Sequence, residues 1–538
     1  MVRLFLAVCS LILLASSLPC RAAEYSAGDS PQVTVDHAYC REVAALAQKY
    51  GVDRKLPDAA AVPGKPCPAG EAAACLLAVI DKVQEKCAKE GKDAVPREDM
   101  DRIAVLHEAL KAELAQHEGY LTRREAIEVL LARADEPALL YKFGVAGFLR
   151  GDGAGNFHLA DNSYAPGHAE GRFVYRVKPY VYWHPTDWLD IHAEGQGYGY
   201  TGGSSQEYNK VSLYQGFVEA KLPGSEALAL KGGRQEFNYG SAFVLGTDSF
   251  FDGLTFDAAR LRVKPAGPLS IDLLAGAYAT PFSGGVDGTL AGGYATYVFS
   301  EGNAVEAYLV HDAGSLRRKA GEYLNLWGMR GTAKLGSLSF EIEPVYESGR
   351  AYGLSGGAAE QVSAYGGHLD LNVDTALGAY HNHLFFSFAL GSGDKAAANG
   401  ISSKKEFRNP NNDSALVGDM HVFSDLSGTT VNGHHASGLQ IYTLGWGLDI
   451  TKEINFSATG RYFVANAVEA GFSRNLGLET DFILTWNAAE GLTFLAGYDR
   501  FFTGAFFRDA SGSGRDIDYG YLMVQFDLSK SKPKLARK

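Results

Sequence analysis

Long apolar runs are missing from this 538-residue chain except near its start, where residues 4–14 are predominantly apolar. That stretch is too short for a spanning helix, which takes about 20 residues. No run of 18 apolar residues follows it, so a helical membrane protein is excluded. Enzyme signatures are missing too: there is no nucleophile elbow, no HExxH and no CxxCH haem site. Basic excess is also absent. With 50 Lys and Arg against 62 Asp and Glu the formal charge is −12, which argues against nucleic acid as a partner.

Cysteine is sparse, 6 in all, and Cys9 and Cys20 fall in what reads as a leader. One Arg, the apolar stretch, and Cys20 and Ala22 at positions minus three and minus one predict a secretory signal peptide over residues 1–22. SSLPC, with Pro19 before the cysteine, is no lipobox, so no lipid anchor is expected.

Cys40, Cys67, Cys75 and Cys87 remain, and an even number in an exported protein reads as disulfides. A helix over 73–90 would separate Cys75 from Cys87 by about 18 Å at about 1.5 Å per residue, so these two cannot pair. An antiparallel helix over 36–50 would bring Cys40 to Cys87 and leave Cys67 to Cys75. A zinc site is the alternative, although the spacings lack the paired short intervals of zinc modules. Ile103, Leu106, Leu110 and Leu114 form the stripe of a third amphipathic helix, and Thr122 with Glu125 forms a capping box for a fourth. Residues 35–136 therefore read as a small disulfide-stapled α-helical domain. Its position before the first strand places it in the periplasm, as a plug or spacer or as a docking module for a periplasmic protein partner.

What the chain has instead is 63 Gly, 28 Tyr, 29 Phe and persistent alternation. In the run 256–264, Ala259, Leu261 and Val263 share one face while Arg260, Arg262 and Lys264 share the other. Such runs recur eighteen times between 141–150 and 518–528, with alternately short and long connections. An all-β transmembrane antiparallel barrel of about 18 strands over 138–528 accounts for this, its short turns and both ends periplasmic and its outer wall against outer-membrane lipid. Residues 529–538 read as a disordered tail.

A charge on the lipid side at mid-membrane costs about 2–4 kcal/mol, so alternation also assigns the pore lining. With Phe173, Tyr175, Val177, Val181 and Trp183 outward, Arg172, Arg176 and Lys178 face the lumen. The same logic sends Asp190, His192, Glu194, Glu219, Lys221, Arg260, Arg262, Lys264, Glu341, Glu343, Arg461, Glu479 and Asp481 inward. Arg234 keeps phase with the outward Leu228 and Leu230, unless Gly232 and Gly233 form a bulge that flips the register or the residue lies near the rim. The loop 391–438, with NPNNDS at 409–414, reads as a solvated surface loop. Folding into the pore, or binding calcium through Asn and Asp oxygens, are the alternatives. No other cofactor is expected.

The segments GGRQEFNYG (232–240), LGTDSFFDG (245–253) and TFDAARLRV (255–263) resemble the strand, loop and strand of the alginate export family of outer-membrane porins. The resemblance is strongest over 214–265 and extends more loosely over about 140–528. It implies an 18-stranded barrel with an arginine- and acid-lined pore, and a lumenal Arg234. The expected function is passive diffusion of anionic solutes or an anionic polysaccharide such as a uronate polymer, with Arg260 and Arg262 as main selectors. The alternative is a structural barrel sheathing a partner, such as a cytochrome in an electron-conduit complex.

Overall fold

The computed structural model describes residues 34–35, 37–52, 67–90, 95–110, 114 and, with short gaps, 139–533. The expected signal segment and the capping box at Thr122 lie outside the described residues. The chain divides into two compact units, Met1–Ala138 and Leu139–Lys538.

In the first unit, helices α1 (His37–Lys49), α2 (Ala69–Glu90) and α3 (Arg97–Ala109) each turn one apolar stripe inward. Val43 and Leu46 of α1, Leu76, Val79, Ile80 and Val83 of α2, and Ile103 and Leu106 of α3 are buried together. Fully burying each such side chain is worth about 1.5–3 kcal/mol. Asp99, in the first turn of α3, accepts from Tyr50 Oη at 2.6 Å and pairs with Lys49 Nζ at 2.5 Å, tying α3 to the end of α1. The expected disulfide staple is corrected: no disulfide joins the described cysteines. Cys87 is a free, half-buried thiol, so it does not pair with Cys40, and Cys75 lies in the apolar core beside Leu76 and Val79. Among the described residues, apolar burial and the Asp99 cluster hold α1, α2 and α3 together.

The second unit is a closed barrel of antiparallel strands. They are β1 (Leu139–His158), β2 (Ser163–Thr186), β3 (Leu189–Gly202), β4 (Tyr208–Lys221), β5 (Leu228–Gln235), β6 (Thr255–Val263), β7 (Leu269–Ala279), β8 (Thr289–Ser300) and β9 (Asn303–Asp312). The circuit continues through β10 (Tyr323–Leu335), β11 (Leu338–Tyr352), β12 (Ala359–Leu377), β13 (Tyr380–Gly391), β14 (His434–Asp449), β15 (Ile454–Ala467), β16 (Asn475–Ala489), β17 (Leu492–Thr503) and β18 (Ile517–Pro533). That makes eighteen, with β13 paired directly to β14 and β18 to β1. A short strand, Gly428–Val431, pairs with the start of β14 inside the long loop.

Period two is visible residue by residue. Along β9, Val305 and Leu309 are exposed while Glu306, Tyr308, Val310 and Asp312 are buried. The exposed face carries an apolar band, with Trp183, Phe299, Tyr380, Trp446, Trp486 and Phe494 near the short turns and Tyr323, Tyr365 and Tyr442 toward the other end. Aromatic rims around an apolar band are what a bilayer selects. The short turns close tightly: Gly491 has φ +70°, and a Cβ there would run into the Asp527 carbonyl.

Two expectations about extent are revised. β1 and β2 form a hairpin reaching well past the expected end of the first strand, to His158 and Ser163. The last strand continues to Pro533, with Ser529 opposite Gly144 and Lys532 opposite Tyr141, so the first half of the expected disordered tail is paired strand.

Candidate functional site

The lumen is the candidate site, and strand phase aims its side chains. Arg172, Arg176 and Lys178 alternate with outward Phe173 and Val181 on β2. Arg172 Nη2 meets Asp152 at 3.0 Å, Arg176 Nε donates to Gln196 Oε1 at 2.7 Å, and Lys178 Nζ meets Glu194 at 2.9 Å. Glu194 also takes Gln215 Nε2 at 2.8 Å and lies 3.3 Å from His192. Lys221 Nζ reaches Asp190 at 2.7 Å. Glu341 holds both ends of Arg330 at 2.6 and 2.8 Å, while Glu343 accepts from Tyr308 at 2.6 Å. Arg461 pairs with Asp481 and lies 3.8 Å from Glu479. Most lumenal charges thus sit in cross-strand ion pairs.

A cationic departure from balance lies on β5 and β6, and an acidic one on β16 and β17, where Glu479, Asp481 and Asp499 are buried and Arg461 pairs with Asp481. Lys231 stands directly opposite Arg260 in register, with Arg262 two residues further on. Arg262 Nε and Nη2 each donate to Asp272 at 2.8 Å. Among the described residues Arg260 has one ion pair, at 3.3 Å from Glu219. Lys231 has no ion pair among the described residues, and its ammonium lies 3.5 Å from the centre of the Phe217 ring. Sequence reasoning missed Lys231 because it is a lone charge beside two glycines, although alternation with outward Leu228 and Leu230 would have found it. It also missed Arg150, Asp152, Asp272, Glu306 and Arg330, which complete the pairs.

Two assigned positions are corrected. Arg234 faces outward: β5 runs in unbroken register against β4 and β6, so no bulge flips it, and its guanidinium holds the outward Asp257 at 2.8 and 2.9 Å. Gly233 has another use. Its φ of +126° brings the strand so close to β4 that a Cβ would collide with the Gly216 carbonyl. Lys264 lies just past the end of β6, exposed at the short-turn rim.

The loop 391–438 is corrected as well. Its described residues do not form a solvated surface loop but fold into the barrel to meet the described residues of a second inward loop, 236–247 and 252–254. Phe407, Met420, Phe423 and Leu426 are buried, and these apolar residues were masked in the sequence by the Asn, Ser and Gly around them. Phe423 stacks on Phe463 with ring centres 4.5 Å apart, Asp419 N donates to Glu479 at 2.9 Å, and Arg408 N donates to Glu347 at 2.8 Å. The loops join through Asn409 Nδ2 to the Phe243 carbonyl and Gly246 N to the Asn411 carbonyl. Asn411 also reaches Tyr278 and Asp312 on the wall. The Asn409, Asn411 and Asp413 side chains therefore serve as loop staples.

The titratable groups of this loop are tuned by burial. His421 is held below the usual histidine range, first by burial and further by Arg150 and Arg461. Burial pushes Asp425 up against the opposing bonds from Ser427. Burial would also raise Glu406, but His435, Arg408 and Ser437 more than offset it and hold the carboxyl low. A polar cavity of about 480 Å³ beside these groups is lined by Glu406, Arg408, His421, Asp425 and His435.

Residues 186–518 match the alginate export family. No curated protein matches the sequence. Among solved structures, OccAB1 of Acinetobacter baumannii superposes with a TM-score of 0.50 at 9% identity, over 73% of this chain and 98% of that one. OccK11 (OpdR) of Pseudomonas aeruginosa gives 0.49 at 14%, over 73% and 98%. A BenF-like porin from Pseudomonas fluorescens Pf-5 gives 0.48 at 8%, over 72% and 99%. With an outer-membrane type of barrel and a family match over more than half its length, this chain belongs to the alginate export family and forms an outer-membrane channel.

Proposed function

We propose that the channel passes anionic solutes or an anionic polysaccharide by passive diffusion, and that Lys231, Arg260 and Arg262 select for them. The carrying observation is the uneven matching of charge: three cations on two adjoining strands against Glu219 and Asp272, with Lys231 unmatched among the described residues. A wet, confined cationic patch concentrates anions, and the neighbouring carboxylates keep binding weak enough for release. Guanidinium forks suit the carboxylates of uronate units. The other assigned lining residues, Arg234 and Lys264 excepted, act as wall charges that pair across strands and set the background field. The inward loops form the constriction. A barrel sheathing a cytochrome is disfavoured because the chain's own loops occupy its lumen.

In this reading the α-helical unit lies in the periplasm, preceded by a cleaved leader, and is the surface for a periplasmic protein partner. The selectivity is tested by reversal potentials of single channels in a salt gradient. Wild type should prefer anions, and replacing Lys231, Arg260 and Arg262 with Gln should lower the anion-to-cation permeability ratio about tenfold. Cation preference in the wild type would sink the reading.

A further inference from the structure

The long hairpin of β1 and β2 carries a feature that neither pore lining nor loop packing uses. His158 ends β1, and His168 and Glu170 stand on the returning strand. Their imidazole and carboxylate donor atoms all lie within 4.8 Å of one another. His158 Nδ1 is 4.0 Å from Glu170 Oε1, and His168 Nε2 is 3.3 Å from Glu170 Oε2. We propose that His158, His168 and Glu170 form a binding site for a divalent transition ion of the zinc class.

The donor chemistry favours this over an ordinary ion pair. Two imidazoles and one carboxylate are a three-ligand zinc set with a fourth position open. Oxygen-seeking calcium or magnesium would find too few oxygens here. Bonds of about 2.0–2.1 Å in a tetrahedron set the donors about 3.3 Å apart. Of the three donor pairs, His168–Glu170 already has that separation, and His158–Glu170 at 4.0 Å and the two imidazoles, within 4.8 Å, close by side-chain rotation.

Three independent details prepare the site. The Glu170 side chain is only 4% exposed, and its Oε1 is oriented by the backbone N–H of Leu159. His168 Nε2 is buried, makes no hydrogen bond among the described residues and lies beside the carboxylate. The two imidazole rings lie 4.1 Å apart at 45°, an approach that two protonated rings would resist and a shared cation would favour. The scaffold is held from outside the cluster: Asn156 Oδ1 accepts from Gly167 N and its Nδ2 donates to the Asp516 carbonyl, while Arg172 Nη1 donates to the Leu159 carbonyl. Such supporting contacts orient ligands before the ion arrives. The other His–Glu group, Glu341 with Glu343 and His368, differs in being filled by Arg330, Tyr308 and Ser241.

An ion here would clamp the tip of the hairpin, whose Tyr164 packs on Phe507 and donates to the Arg515 carbonyl. The test uses the full-length barrel, purified without a histidine tag, in competition with a chromogenic zinc chelator. One Zn²⁺ per chain is expected, not displaced by excess Ca²⁺ or Mg²⁺. The His158→Ala/His168→Ala variant should lose it, Glu170→Gln should weaken it, and Asn156→Ala, which loosens the supporting scaffold, should weaken it by about 10–100-fold. Heat-modifiable gel mobility checks that each variant still forms the barrel. Co²⁺ in place of Zn²⁺ should give absorption bands of tetrahedral intensity that vanish in the double variant. No zinc on the folded wild type, or zinc retained by the folded double variant, would overturn the proposal.

Discussion

Arg234 and Asp257 form an ion pair on the wrong side of the wall for a pore. Six residues separate Leu228 from Arg234; at about 3.3 Å per residue and a tilt of about 40°, the pair stands about 15 Å above the short turns. That height lies within an apolar band about 25 Å tall. Asp257→Leu should therefore leave a guanidinium facing lipid and cost about 2–4 kcal/mol in guanidinium chloride unfolding. The double change Arg234→Leu/Asp257→Leu should recover most of the loss, since removing a matched pair is far cheaper than orphaning one member. If the double variant is as unstable as the single one, the pair is not facing lipid. Asp99 makes the same point in the helical unit. Replacing it with Ala removes the acceptor shared by Lys49 and Tyr50 and should cost about 1–3 kcal/mol, read from urea unfolding of the chain's helical signal.

At the scale of elements, alternation made the strands legible. Glu306 and Tyr308 inward, with Val305 and Leu309 outward, is a pattern that period two states outright. Short turns such as the one ending at Gly491 were legible for the same reason, because a left-handed glycine between alternating runs has few other uses. The pairing of charges was not legible, since it depends on which strands adjoin and in what register: nothing local says that Arg262 will meet Asp272 or that Arg330 will meet Glu306. Nor was the fate of the long loop, whose apolar residues carry no period. That loop should respond to acid. His421 has a lowered pKa when inserted, while a released loop would titrate near 6.5, so insertion has its full stability above that pH and loses it as pH falls. Glu406, also held low, adds the same trend only below about 4.5; Asp425, raised, opposes it by favouring the inserted state in acid. Single-channel conductance should rise between about pH 7.5 and 5.5 in the wild type and rise less in His421→Gln. Equal responses would remove His421 from the gate.

For the whole molecule, the question is how the barrel closes. β18 pairs with β1 from Asp518 opposite Gly155 to Pro533 opposite Leu139, and residues 529–533 supply the partners of 139–144. Without them the start of β1 would be an open edge, and unpaired backbone groups in an apolar surround cost several kcal/mol each. Cutting the chain after residue 533 should leave heat-modifiable mobility unchanged, whereas cutting after 528 should lower its melting temperature or the yield of folded barrel. Replacing Lys530 and Lys532 with Thr keeps the backbone and should behave like wild type, which separates strand pairing from any recognition of the charged sequence. If the chain cut after 528 folds as well as the full chain, closure does not depend on these pairs. If the Thr variant fails as well, the lysines act through their charge, and the end of β18 is read by a partner rather than held by β1.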